Sequence, residues 1–158
     1  NLAHLCKSIQ HLGHGLKRAQ KHPGFAILPW SLVEQGRGAD PAHVATVMEK
    51  VAHPAIAVNW DVMHPVRTGK ATIDQSFHAL RPWIRHLHVH DGIGRDVQLA
   101  PIGTGDYDHR RVLELLKTIP YEGYISGEWI GWEPYTTHLP RELTTLKGYE
   151  RELGPGKN

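Results

Sequence analysis

Apolar and polar positions alternate along three short runs of this chain, and each run closes on a residue able to bind a metal: Ile56 to Asp61, Ile84 to His90 and Tyr124 to Glu128. Successive side chains of a strand face opposite ways, so Ile56, Val58 and Trp60 share one face while Ala57, Asn59 and Asp61 share the other. Leu87 and Val89 likewise oppose His86, His88 and His90, and Ile125 and Trp129 oppose Ser126 and Glu128. Strands that are apolar on one face and carry chemistry at their C-terminal ends suit a parallel α/β barrel, whose outward faces pack on helices.

Helical spacing fills the intervals. Leu2, Leu5, Ile9, Leu12 and Leu16 predict a helix from Leu2 to Ala19, closed by Pro23 and Gly24, and Phe25 to Leu28 reads as a strand. Asp40 and Pro41 suit the N-cap and first position of a helix reaching Val51, with Val44, Val47, Met48 and Val51 as its buried stripe. Ile73, Phe77 and Leu80 predict another helix, closed by Pro82. The stretch from Asp91 to Asp106 holds five Gly or Pro residues and reads as one long mouth loop. Asp108 can cap a helix containing Val112, Leu115 and Leu116, and Pro140 can start a last helix with Leu143, Leu146 and Tyr149. The order is one helix followed by four strand–helix units. A closed eight-stranded barrel takes about 250 residues, so the expected fold is a (βα)8 barrel of which residues 1–158 form one partial domain, strands five to eight with their helices, without the N-terminal half.

Composition narrows the function classes. With 158 residues, 40% of them hydrophobic, the chain can bury one sizeable core. The net charge of +2 is spread without a basic stripe, which disfavours a nucleic-acid partner. No apolar run approaches the roughly 20 residues of a membrane-spanning helix. The single Cys6 rules out an internal disulfide framework and suits a reducing, cytoplasmic setting. A homo-oligomer is compatible with these features and not specified by them. Most of the thirteen His residues are scattered over helices and loops and are expected to be solvated, whereas Trp60 is expected on the helix side.

Four segments carry a resemblance: Asn59-Trp60-Asp61-Val62-Met63-His64-Pro65, His86-Leu87-His88-Val89-His90-Asp91, Ile102-Gly103-Thr104-Gly105-Asp106-Tyr107-Asp108 and Gly123-Tyr124-Ile125-Ser126-Gly127-Glu128-Trp129. In this order and spacing they resemble successive motifs of the xylose isomerase-like superfamily, in its sugar phosphate isomerase/epimerase branch. The resemblance implies a TIM barrel holding one divalent metal through a Glu of the fifth strand, an Asp of the sixth, a His of the seventh and a Glu of the eighth. Asp61, His88 and Glu128 take the last three places. Such a donor set suits Mn, Mg or Co, with Zn a further candidate.

The implied activity is isomerisation or epimerisation of a sugar or sugar derivative, by proton transfer through an enediolate, with Glu128 moving the proton. His64, Arg67, His90 and Asp91 are the expected substrate contacts, and His90 stands where the family often has Lys. The fifth-strand Glu is the main departure. Counting from the start of the strand at Phe25 puts Pro29 or Trp30 in its place, while counting back from the next helix brings Glu34 there, which requires a shifted strand end. Glu34 is therefore the second catalytic candidate. Three alternatives stay open: an inosose dehydratase-like lyase, an AP endonuclease-like metal nuclease, and a sugar-binding barrel without catalysis. The nuclease reading suffers from the absence of an Asp-Arg-His segment after the seventh strand.

Overall fold

The computed structural model describes residues 31–34 and 40–155. The expected helix from Leu2 to Ala19 and strand from Phe25 to Leu28 lie outside the described residues. Eleven elements follow one another: β1 (Ser31–Glu34), α1 (Pro41–Val51), β2 (Ile56–Asp61), α2 (Met63–Arg67), α3 (Ile73–Leu80), β3 (Ile84–Val89), β4 (Asp91–Ile93), β5 (Gln98–Ala100), α4 (His109–Leu116), β6 (Ile125–Gly127) and α5 (Tyr135–Leu153). β1, β2, β3 and β6 form a parallel sheet in that order. None of the described helices is long and apolar enough to cross a membrane.

Local signals explain where the elements begin. Asp40 accepts a hydrogen bond from Ala42 N at 2.8 Å and Pro41 occupies the first turn, so α1 starts where side-chain capping and a fixed φ agree. Thr72 and Gln75 form a reciprocal capping box at the head of α3. Asp108 accepts from Arg111 N at 2.9 Å and starts α4. The expected stripe of α1 is buried as predicted, and Phe77, Leu80, Val112, Leu115 and Leu116 join it against the helix-facing side of the sheet. Trp60 lies in this layer, 5.4 Å from the Phe77 ring, with its indole N–H donating to Ser76 Oγ at 2.9 Å.

β2 is buried along its whole length, as a strand flanked on both edges and covered on both faces should be. Its pairing with β3 contains one irregularity. Val58 is in register with Ile84 but Asn59 with His86, so Arg85 is an extra residue on β3. The bulge lets Ile84 pack with the helix-side core although it has the same sequence parity as His86 and His88.

The described first strand is Ser31–Glu34, whose residues are in register with Ile56 to Asn59, so it ends on Glu34. Two expectations are corrected. The stretch after β3 is not wholly irregular: β4 and β5 form an antiparallel hairpin across it, turning through Gly94 and Val97, both at positive φ. The last helix begins at Tyr135 rather than Pro140, which lies inside it, and the face it buries carries His138 and Glu142 while Leu143 is exposed.

Candidate metal centre

Parallel strands in register deliver their C-terminal residues to one mouth. Asp61 is level with His88 and Ser126, and Glu128 follows directly on β6, its N–H donating to Val89 O at 3.3 Å. Asp61 is fully buried, and its Oδ1 accepts from Met63 N at 3.0 Å. That bond folds the chain straight into the one-turn helix α2, which brings His64 back so that its Nε2 lies 3.6 Å from Asp61 Oδ2.

On the other side of Asp61 stands His90, with Nε2 3.7 Å from Oδ1. His88 points to the third strand end, its Nδ1 3.4 Å from Glu128 Oε2. Asp61, His90 and Glu128 each offer a ligand atom within 4.8 Å of the other two. The structure thus gathers five of the residues singled out from the sequence, Asp61, His64, His88, His90 and Glu128, around one opening. His86 lies deeper and spends Nε2 on Ser126 Oγ at 2.9 Å.

Burial divides the two carboxylates. Asp61 is closed off from solvent, whereas the Glu128 side chain is 36% exposed at the mouth. Burial, reinforced by the nearby imidazoles of His64, His109 and His88, pushes the His90 pKa down to about 4, so its ring is neutral at pH 7. Burial likewise lowers His86, with His88 adding to the effect. His90 is 3% exposed, and its polar neighbours include the Asp61 carboxylate, 3.7 Å from Nε2, and the backbone of Glu128. Two carboxylates with imidazoles beside them form a donor set that fits a divalent cation.

The remaining expected site residues behave differently. Asp91 was expected to meet substrate, but it is fully buried and its two oxygens accept from the backbone N–H groups of Gly92, Gly103, Gly105 and Tyr107 at 2.8, 2.8, 3.1 and 3.4 Å. This carboxylate is the hub on which the loop after β3 is wound. Gly105 is required there, because a Cβ at that position would collide with the Asp91 carboxylate. Arg67 donates its Nε to Arg95 O at 2.8 Å, tying α2 to the tip of the hairpin. Glu34 ends β1 level with Asn59, one inward-facing row below Asp61.

Sequence reasoning missed Glu142, which is buried on α5 and accepts from Ile102 N at 2.7 Å through Oε2 and from Arg141 Nε at 2.8 Å through Oε1. A carboxylate standing in a helical stripe between His138 and Leu146 was the signal available. It straps α5 to the same loop that Asp91 organises.

Comparison with known proteins places this geometry in context. A family model described as xylose isomerase-like TIM barrel matches residues 2–149. The 3-dehydroshikimate dehydratase of Bacillus anthracis is 24% identical over 102 residues, which are 54% of this chain and 35% of that protein. Among solved structures, a xylose isomerase-like TIM barrel protein from Mycobacterium smegmatis in complex with magnesium superposes with a TM-score of 0.73 at 14% identity, covering 97% of this chain and 52% of the other. The 3-keto-D-glucoside 4-epimerase YcjR of E. coli gives 0.69 at 18% identity, covering 93% and 53%. The chain spans about a third of the length of the curated relatives it matches and about half of these structures.

Proposed function

The chain belongs to the xylose isomerase-like TIM barrel family, and on that premise we propose that it supplies strands five to eight of a barrel enzyme that isomerises or epimerises a sugar or sugar derivative with the help of one divalent metal. The observation that carries this reading is the convergence of Asp61, His88, His90 and Glu128 on one mouth. Asp61, His88 and Glu128 would hold the ion, with Glu34, the terminal residue of β1, as the fourth donor. A divalent cation in this position supplies Lewis-acid polarisation of a carbonyl.

The chain's own groups divide the remaining work. Asp61 is enclosed and anchored by Met63 N, so it fixes geometry and does not travel. Glu128 is the carboxylate that opens to the mouth, and it is the group placed to take a proton from a carbon next to the carbonyl and return it. His64, held against Asp61, and Arg67, pinned to the hairpin, border the space a polyhydroxylated substrate would fill. Asp91 acts at one remove, by setting the loop that walls this space. The partner in this reading is a small molecule, and the lone Cys6 agrees with a cytoplasmic setting.

The test is a pair of variants in the full chain. Asp61→Ala is expected to weaken binding of Mn2+ by more than about 100-fold, and Glu128→Gln to lower turnover of a ketose or sugar-acid panel by about 100-fold or more while sugar binding falls far less. Unchanged metal affinity in the first and unchanged turnover in the second would reject the site. A second reading, loss of water from a hydroxylated ring, is favoured by the sequence match to a dehydratase. It begins with the same proton removal by Glu128, and mass spectrometry of the product separates the two, since isomerisation conserves mass and elimination does not.

A further inference from the structure

The family resemblance assigns one imidazole to the metal, from His88. The structure adds a second. His90 is the imidazole whose ligand atom falls in mutual reach of Asp61 and Glu128, at 4.8 Å or less. Its Nε2 lies 3.7 Å from Asp61 Oδ1, too long for a hydrogen bond, and the ring is buried between the ends of β2 and β6, with the Glu128 backbone beside it. A ligand atom enclosed with two carboxylates at this spacing is an arrangement a cation would fill.

From this we infer that His90 is itself a metal donor, and that together with His88 it turns the site toward nitrogen-favouring first-row ions such as Co2+ and Zn2+ and away from Mg2+. The inference rests on the metal centre proposed above. Its chemical basis is the preference of Mg2+ for an all-oxygen octahedron with several waters, against the affinity of later first-row ions for imidazole. Where the family often has Lys, a cation at this position would repel a metal. A neutral imidazole at the same position offers it a lone pair.

The test titrates Mg2+, Mn2+, Co2+ and Zn2+ separately into the full-chain wild type, His90→Gln and Asp61→Ala, read by calorimetry and, for Co2+, by its visible absorption. His90→Gln is expected to weaken Co2+ and Zn2+ by about 10-fold or more with Mg2+ little changed, and to alter the Co2+ spectrum. Wild-type Co2+ and Zn2+ affinities and an unaltered spectrum in His90→Gln, with binding lost in Asp61→Ala, would overturn the role of His90 and leave the metal centre standing. Full binding in Asp61→Ala would overturn the centre itself. Should His90→Gln fail to fold, pulsed EPR of the wild type loaded with Cu2+ counts coordinated imidazoles: two or more support the inference and one refutes it.

Discussion

Trp60 and Asp61 are consecutive residues, both with no exposed surface, and they belong to opposite sides of one sheet. On the helix side, Trp60 is surrounded by apolar side chains and its single polar atom is matched by Ser76. On the mouth side, Asp61 has the imidazoles of His64 and His90 at 3.6 and 3.7 Å and accepts from Met63 N. Equal burial therefore hides unlike surroundings. The helix side gathers apolar side chains that folding itself requires, whereas the mouth gathers carboxylates and imidazoles, a grouping that folding alone does not call for.

Substitutions can press on this contrast. The largest stability effect belongs on the helix side: Trp60→Ala should cost about 3–5 kcal/mol, measured by urea unfolding, far more than Asp61→Ala in metal-free protein. A loss of similar size in both would erase the distinction. Acid should act next, and mainly through the mouth. His90 and His109 have folded pKa values below the unfolded value of about 6.5 because burial disfavours their charged forms, so they bind fewer protons folded than unfolded. Stability in the presence of a chelator should therefore be full above pH about 6.5 and fall as pH drops toward 4. His90→Gln should flatten that fall, and an unchanged slope would contradict the assignment. The smallest effect is on the helix ends: Thr72→Ala should cost about 1 kcal/mol, visible as a modest drop in thermal midpoint with metal affinity unaltered.

Legibility followed the same division. The helix side was readable because periodicity reports packing: the bounds of β2, the buried stripe of α1, the capping at Asp40 and Asp108 and the placement of Trp60 all follow from spacing. The mouth was readable only as far as the strands run. Asp61 ends β2 inside a regular alternation, so its direction was clear. His90 lies one residue beyond β3, so alternation gave its side of the sheet but not its approach to Asp61, which depends on how the chain enters β4. Asp91 carries a metal-ligand side chain but serves the backbone, because a loop rich in Gly supplies many N–H groups that need acceptors. The hairpin of β4 and β5 has strands of three residues, too short for any period to show. The apolar run from Phe25 to Leu28 lies outside the described residues, and β1, which follows it, brings Glu34 to a strand end.

The extra residue in β3 has a genetic corollary. Because Val58 pairs with Ile84 and the next residue, Asn59, pairs with His86, losing the Arg85 codon would leave plain alternation, with Ile84 still toward the helices and the histidines still toward the mouth. The same loss between His86 and His88 would instead turn the later imidazoles to the opposite face. Length can thus change by one residue at the bulge without altering the set of donors, and nowhere else along this strand.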